Sequence, residues 1–150
     1  TVSVAREADR KRILEFFGNA GRASLLINKN ADSRAMRINA DLHKSQMDKV
    51  CDYIRQHLSE ELRPEDFAEE CSVSLSHFLR LFKFYYGMSI GTYICQVRLD
   101  AARQFLINQP DKTILEISMF CGFSSLSSFN RSFKKSTGYT PSEYRALGKG

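Results

Sequence analysis

The sequence contains no tryptophan, only three prolines and no long run of apolar residues. Without an apolar stretch of about 20 residues, the chain offers no candidate for a membrane-spanning helix. It also opens with no pattern typical of a signal peptide. At 43% hydrophobic and 26% charged residues, it has the composition of a globular domain that can bury a core. We therefore expect a cytoplasmic protein with no membrane partner.

Cysteine and histidine are too few and too dispersed to indicate a metal site or a disulfide framework. Cys51, Cys71, Cys95 and Cys121 form no Cys-x-x-Cys pair, and the chain has three histidines. Cys71 and Cys121 stand at matching positions of an internal repeat, so buried packing is the better account of that pair. The sequence shows no nucleophile–base pair and no glycine-rich phosphate loop. We therefore expect neither an enzyme nor a cofactor.

The net charge of +5 is modest, but the charges are unevenly distributed. Residues 48–70 carry eight acidic and three basic side chains, whereas residues 71–150 carry ten basic and four acidic ones. A basic C-terminal part favours a polyanionic partner such as the phosphates of a nucleic acid. A solvated basic surface without a partner is the alternative.

From residue 46 onward the apolar residues recur at helical spacing, which predicts an all-α domain. Ser, Thr and Pro stand at the expected helix starts and Gly at two of the ends. Thr113 with Glu116, and Thr140 with Glu143, are predicted capping boxes. Seven helices follow, joined by short connections: about 46–58, about 64–71, from Ser74 to about 86, about 89–108, a short helix after Thr113, from Ser125 to Gly138, and from Thr140 to about 146.

Residues 1–45 follow a different pattern and do not share the repeat described below. Apolar residues predict a helix over about 6–18 and allow another within 32–43, while 24–27 is the single stretch that favours a strand. The chain begins without Met, so we interpret it as a fragment of a longer protein. We expect residues 1–45 to be a partly helical linker, or the remnant of an upstream sensor or dimerisation domain.

The most informative feature is a repeat between residues 67–88 and residues 117–139. Both copies contain a Cys, an apolar residue two positions later, and a Phe-x-Arg-x-Phe-Lys segment followed by Gly. The second copy carries one extra residue between its halves. A repeat this detailed indicates two copies of one supersecondary unit. The matching pairs are Cys71 and Cys121, Val73 and Phe123, Phe78 and Phe129, Arg80 and Arg131, Phe82 and Phe133, Lys83 and Lys134, and Gly87 and Gly138.

Each copy has the pattern of a helix-turn-helix, in which a second, recognition helix enters the DNA major groove. The predicted inner residues are apolar: Phe67, Ala68, Cys71, Val73, Phe78, Leu81, Phe82, Ile117, Cys121, Phe123, Phe129 and Phe133. Between them stand polar residues suited to DNA, since Arg pairs with guanine, Ser and Asn serve bases or phosphates, and Lys suits phosphates. These candidates are Ser74, Ser76, His77, Arg80, Lys83, Ser125, Ser127, Ser128, Asn130, Arg131, Lys134 and Lys135. Ordinary amphipathic helices with solvated faces are the alternative.

The helix over about 89–108 joins the two copies and has an informative length. At about 1.5 Å per residue it is about 30 Å long, close to the roughly 34 Å between successive turns of the major groove. We therefore predict that one chain contacts two adjacent segments of major groove on one face of the DNA.

These motifs resemble the AraC/XylS family of bacterial transcription regulators. The second copy carries the most specific match, over residues 117–124, 128–135 and 138–145, and the resemblance as a whole covers about 46–146. It implies a seven-helix domain with two helix-turn-helix units joined by one long helix. It also implies a transcription activator whose partner is double-stranded DNA. RNA polymerase, and a second copy bound through an upstream domain, are the further partners that the resemblance suggests.

The resemblance places base contacts on the outer face of each recognition helix. Leu79 and Leu126 stand where the family frequently has polar side chains, so we expect them to touch a thymine methyl group or to contribute nothing. Ser118 replaces a common Ala and should preserve close packing. Residues 10–28 resemble the helical segment that follows a cupin-like sensor in some members. The implied base-contacting residues are Ser76, Leu79, Arg80, Leu126, Ser127, Ser128 and Arg131.

Met119 and Phe120 stand where the first copy has Glu69 and Glu70. We expect them to pack against the middle helix. An exposed docking surface, for RNA polymerase or for an upstream part of the chain, is the alternative.

Two other classes of function compete with DNA binding. A protein-interaction module would bind RNA polymerase or another regulator with little dependence on salt or base sequence. A DNA-repair methyltransferase is the enzyme to consider, since some carry this type of DNA-binding domain. It would need an upstream cysteine cluster, and residues 1–45 contain no cysteine. The sequence favours a sequence-specific DNA-binding regulator over both.

Overall fold

The computed structural model describes the backbone of residues 11–13 and 33–148 and the side chains of residues 11–13 and 42–148. Over these ranges the structure is all-α and contains no strand, which confirms the predicted fold class. Residues 11–13 are helical and Ile13 is buried. The rest of the predicted helix over 6–18, the strand over 24–27 and the family resemblance of 10–28 concern positions outside the described residues.

Seven helices follow one another between residues 33 and 148. Six of them lie where the sequence predicts them, and each helix end that was predicted for these six falls within two residues of the observed one. In chain order they are α1 (Ser33–Gln56), α2 (Pro64–Glu70), α3 (Leu75–Tyr86), α4 (Ile90–Asn108), α5 (Ile114–Phe120), α6 (Leu126–Thr137) and α7 (Pro141–Gly148).

The prediction was wrong for α1, which is one helix of 24 residues where the sequence suggested two. The apolar stripe begins only at Met47, but the residues before it contain no Pro or Gly that would end a helix. Lys44 and Asp48 instead form an ion pair four residues apart, which supports the helix across this region. The proposed boundary between residues 45 and 46 therefore falls inside a helix, and the roles assigned to its two sides stay predictions.

The two recognition helices, α3 and α6, begin and end in the same way. The hydroxyl of Ser74 accepts the backbone N–H of His77, and that of Ser125 accepts the backbone N–H of Ser128, both at 3.1 Å. Each helix stops at a glycine in the left-handed region, with φ of 72° and 85° respectively. These caps satisfy backbone groups that a helix leaves unpaired at its ends.

Both predicted capping boxes are present. Thr113 accepts the N–H of Glu116, and the carboxylate of Glu116 accepts the N–H of Thr113. Thr140 and Glu143 exchange the same pair of hydrogen bonds. Two backbone donors are thus satisfied at the start of α5 and two at the start of α7.

Over the described residues the chain forms two compact units, each holding one copy of the repeat. The first contains α1 and residues 62–90, and the latter range includes α2 and α3. The second consists of His57–Glu61 and the chain from Gly91 onward.

Aromatic side chains form the core of the first unit. The ring of Phe67 lies 5.7 Å from that of Tyr53 and 6.3 Å from that of Phe78, measured between centroids. Phe82 packs beside Phe78 and is fully buried. Burial raises the pKa of the nearby Cys71 thiol to about 12, so the thiol stays neutral and serves packing.

The second unit has an equivalent core, built between α4, α5 and α6. Its buried residues include Phe129 and Phe133, and the rings of Phe133 and Tyr144 from α7 meet edge to face, 5.2 Å apart between centroids. Burial raises the pKa of Cys121 to about 11. The prediction that the matching cysteines are packing residues is therefore confirmed. The remaining buried residues of the second unit's core are Leu99, Ala102, Leu106, Ile117 and Cys121.

Candidate nucleic-acid interface

Buried phenylalanines orient the recognition helix α3 of the first unit. Phe78 and Phe82 lie one turn apart and are fully buried, so the opposite side of α3 faces solvent. Tyr86 donates a hydrogen bond from its hydroxyl to Asp48 of α1, which holds the C-terminal end of the helix. The hydrogen bond from Lys44, and then the one from Tyr86, keep the pKa of Asp48 below its usual value. Asp48 is thus held as a carboxylate that anchors α3.

The histidine of α3 contacts α1 instead of pointing fully outward. The rings of His77 and His43 meet edge to face, 5.9 Å apart between centroids. His77 is accordingly half-buried. This contact positions the N-terminal part of the recognition helix, which is the part that approaches base edges in helix-turn-helix proteins.

The outer face of α3 presents side chains that can contact DNA. Ser76, Arg80 and Lys83 are exposed, and neither basic residue forms an ion pair with another described residue. Leu79 is also exposed on this helix. The predicted orientation of Arg80 is confirmed, while its contact with a base stays a prediction.

The recognition helix α6 of the second unit is held in an equivalent way. Phe129 and Phe133 face the core, and Arg103 of α4 donates a hydrogen bond to the Ser136 hydroxyl at 3.2 Å. Ser128 is half-buried. The exposed residues of the outer face are Ser127, Asn130, Arg131, Lys134 and Lys135.

The two recognition helices contain no acidic residue, and both carry their bases on the exposed side. Of the fourteen residues predicted to contact DNA, twelve are exposed, and the half-buried ones are His77 and Ser128. The hydroxyls of Ser74 and Ser125 are engaged as helix caps. Each helix therefore offers a positive surface to a polyanion, as phosphate binding requires.

Sequence reasoning missed Phe84, an aromatic residue that is 80% exposed. It lies on α3 four residues after Arg80 and thus on the same side of the helix. Its counterpart in the repeat is Lys135 on α6. The spacing of four residues from Arg80 was the available signal, but Phe84 is neither among the predicted inner residues nor among the predicted DNA contacts.

The turns between the helices differ. The first has Ser72 in the left-handed region, with φ of 57°, and the second has Gly122 with φ of 88°. A non-glycine residue in this region is strained by roughly 1–2 kcal/mol. The second turn also requires glycine for space, as described below.

The expectation that Met119 and Phe120 pack against the middle helix is wrong for Met119 and only partly right for Phe120. Met119 is 64% exposed and Phe120 is 52% exposed. The ring of Phe120 does lie near Phe105 of α4, and the ammonium of Lys112 sits 4.4 Å from its centroid. Ser118, by contrast, is fully buried, and its hydroxyl donates to the carbonyl of Leu115, so the predicted close packing is confirmed.

Two further observations apply to the described residues alone. They contain no group of three or more His, Cys, Asp or Glu side chains arranged to hold a metal ion. None of their helices combines the length and the apolar character needed to cross a membrane.

Two helix-turn-helix units with exposed basic recognition helices define a class of nucleic-acid-binding domain. Similarity to known proteins indicates the same class. A family model described as a helix-turn-helix domain matches residues 67–147. The crystal structure of a transcriptional regulator with an AraC-type DNA-binding domain, from Chromobacterium violaceum, aligns with a TM-score of 0.63 at 32% identity. The alignment covers 70% of this chain and 93% of that one. The chain belongs to the AraC/XylS family of helix-turn-helix proteins.

The chain is also similar to two proteins of stated function. The bifunctional transcriptional activator/DNA repair enzyme AdaA of Bacillus subtilis (strain 168) is 37% identical over 103 residues, which are 69% of this chain and 48% of AdaA. The DNA-binding domain of the global transcriptional factor AdpA, crystallised with a target DNA, aligns with a TM-score of 0.65 at 25% identity. That alignment covers 68% of this chain and 91% of that one. The chain spans about half the length of AdaA.

Proposed function

We propose that residues 46–150 bind double-stranded DNA with sequence specificity and regulate transcription. The observation that carries this proposal is the pair of recognition helices, each with an exposed arginine at the same position of the repeat. The basic outer faces of α3 and α6 supply the phosphate attraction. Family membership, and the complex of the AdpA domain with a target DNA, support duplex DNA as the partner.

The residues divide into two roles within this proposal. Arg80 and Arg131 contact base edges, with Ser76, Ser127 and Asn130 beside them, because Arg and Asn form paired hydrogen bonds to purines. The lysines near the helix ends contact phosphates and set the register. Within this proposal Leu79 and Leu126, which are exposed, touch thymine methyl groups or contribute nothing to base preference.

The proposal includes contact with two adjacent segments of the major groove by one chain. Its support is the length of α4, whose 19 residues span about 28 Å at about 1.5 Å per residue. A cytoplasmic location follows from a partner of this kind in a bacterium. Dimerisation through an upstream domain stays a prediction.

We also propose activation through a protein contact made by α5. Leu115, Met119 and Phe120 are all exposed on this helix, and exposed apolar side chains grouped together mark a candidate surface for a protein partner. RNA polymerase is the partner that an activator requires. The description of AdaA as a transcriptional activator supports this role. A protein-interaction module without specific DNA binding is the competing function that the same surface favours.

Selection from random duplexes, followed by titration at several salt concentrations, tests the main proposal. We expect two enriched motifs and an affinity that falls linearly with salt on logarithmic axes. Arg80→Ala and Arg131→Ala should each cost about 1–3 kcal/mol of binding free energy and relax base preference at one position.

Arg55→Ala is the matched control, because Arg55 is exposed on α1, pairs with Asp52 and lies outside the recognition helices. It should leave base preference unchanged. Specific binding that survives both recognition-helix substitutions would contradict the proposal. Binding that ignores salt and sequence would favour the protein-interaction module.

A further inference from the structure

Phe84 lies on the first recognition helix, α3, and 80% of it is exposed. The helix packs on the core of its unit through Phe78 and Phe82, which are fully buried, so Phe84 has no part in that core. The free energy gained from an apolar side chain is proportional to the area that leaves water. Phe84 therefore contributes little to folding and can contribute when a partner covers it.

Phe84 stands on the same stripe of α3 as predicted DNA contacts. Residues three and four apart lie on one side of an α-helix. This spacing joins five exposed residues: Ser76, Leu79, Arg80, Lys83 and Phe84. Neither basic residue of the stripe forms an ion pair with another described residue, and the sequence of α3 contains no acidic residue. The charge of this side suits a polyanion, which identifies DNA as the partner that covers Phe84.

The ring of Phe84 is held in place by its neighbour in the chain. It meets the ring of Tyr85 edge to face, 5.2 Å apart between centroids, and Tyr85 is half-buried. Aromatic rings in this arrangement attract one another. A side chain that is already ordered loses less conformational entropy when a partner binds. The Tyr85 contact thus prepares Phe84 for binding.

The second recognition helix carries different residues at the matching positions. Asn130 matches Leu79, and Lys135 matches Phe84. Asn and Lys form hydrogen bonds with bases and phosphates. An apolar side chain instead distinguishes thymine by its C5 methyl group, which lies in the major groove. The two recognition helices therefore offer different chemistry to the bases that they meet.

We propose that Phe84 is a specificity-determining residue that contacts the C5 methyl group of a thymine in the half-site bound by the first unit. The inference rests on the proposed function and adds one residue and one base to it. At about 1.5 Å per residue, Phe84 lies about 6 Å further along α3 than Arg80. Successive bases of one strand are about 3.4 Å apart along the DNA axis. The thymine therefore lies about two base pairs from the base that Arg80 contacts.

Replacement of thymine by uracil tests this contact, because it removes the methyl group and keeps every hydrogen bond of the base pair. Each thymine of the selected duplex is replaced in turn. The half-site of the first unit is the one whose base preference changes in Arg80→Ala. For the unsubstituted protein we expect one replacement, about two base pairs from the Arg80 position, to weaken binding about fourfold, as the loss of one buried methyl group predicts.

Phe84→Ala removes the other side of the same contact. Its affinity for the thymine duplex should fall about tenfold, because most of an apolar ring no longer leaves water on binding. Uracil at the sensitive position should then have no further effect. Phe84→Leu keeps an apolar side chain and should retain part of the discrimination between thymine and uracil.

Leu147→Ala is the matched control. It truncates an apolar side chain of α7 that is also exposed but lies outside the recognition helices. Neither the affinity for the thymine duplex nor the response to uracil should change. Circular dichroism should show unchanged helix content in Phe84→Ala, since the ring is not part of the core.

Several outcomes would overturn the inference. One is a half-site of the first unit that selects no thymine at this distance, and another is a uracil effect of equal size in Phe84→Ala and the unsubstituted protein. Full DNA affinity in Phe84→Ala would leave the ring for a protein partner, and loss of helix content would make it a residue of general stability. If the unsubstituted protein selects no motif at all, the proposed function fails instead, which distinguishes the two failures.

Discussion

The two helix-turn-helix copies share their internal parts and differ in the surfaces that surround them. Both use a capping serine, two buried phenylalanines one turn apart and a left-handed glycine at the end of the recognition helix. The short helix of the first copy exposes Glu65 and Glu69, whereas that of the second exposes Leu115 and Met119 at the matching positions. The common parts are those that any helix-turn-helix needs to fold. The differing parts are exposed, where packing of the fold does not restrict the residue type.

The turns of the two copies also differ at one matching position, which is Ser72 in the first copy and Gly122 in the second. Ser72 occupies a left-handed position and is exposed, so the first turn accepts a side chain at the cost of some strain. Gly122 lies against the Leu58 carbonyl and has no room for one. A turn position that both copies share can therefore make a close backbone contact in only one of them.

The largest expected effect tests whether the two cores are equivalent. Phe78→Ala and Phe129→Ala each remove a fully buried ring, and each should lower the free energy of unfolding by about 3–5 kcal/mol. Urea unfolding measures the loss. Leu115→Ala, at an exposed position of α5, is the control and should change stability by no more than about 0.5 kcal/mol. A loss below about 1 kcal/mol for either phenylalanine would show that its unit is not stabilised by this core.

A smaller effect separates the close approach at the second turn from backbone strain. Gly138 has nearly the same φ as Gly122, 85° against 88°, but a Cβ there would meet nothing within 4 Å. Gly138→Ala should cost about 1–2 kcal/mol through strain alone. Gly122→Ala should cost clearly more, because Leu58 or Arg98 must also move. Equal losses in thermal or urea unfolding would contradict a close approach of Gly122 to the Leu58 carbonyl oxygen and to Arg98.

The smallest effect concerns the charge of the two recognition helices. Phe84→Lys adds a positive charge to the outer face of α3, and Lys135→Phe removes one from α6. We expect the slope of log affinity against log salt to steepen by about one in the first variant and to become shallower by about one in the second. Leu147→Lys adds the same charge to an exposed position of α7 and should leave the slope unchanged. Equal slopes in all three variants would argue against DNA contact by these helix ends.

Local signals predicted most of the helices because helix ends are determined by neighbouring residues. The capping boxes at Thr113 and Thr140 formed as their spacing indicates, and the glycines after α3 and α6 ended those helices. The same approach misplaced the start of α1, because an apolar stripe marks the buried part of a helix and not its full length. An exposed extension with no Pro or Gly leaves no such mark.

The candidate interface was predicted in outline for a similar reason. Helical periodicity separates buried phenylalanines from outward arginines, and both Arg80 and Arg131 are exposed as expected. Phe84 was predicted neither as an inner residue nor as a DNA contact, and the structure shows it exposed on α3. His77 was expected to face outward, but its contact with His43 depends on a residue 34 positions earlier in the chain.

The amino-acid sequence by itself determined the repeat, the helix ends, the division of each helix into apolar and polar sides and the family of the protein. These properties depend on residues within a few positions of one another, so the order of side chains is enough to specify them. Only the tertiary structure decided that His57–Glu61 packs with the second unit, that Arg98 donates to its carbonyls and that Gly122 must be glycine. The physical reason is that backbone carbonyls carry no sequence signal. Which guanidinium reaches them depends on how segments about 40 residues apart come together.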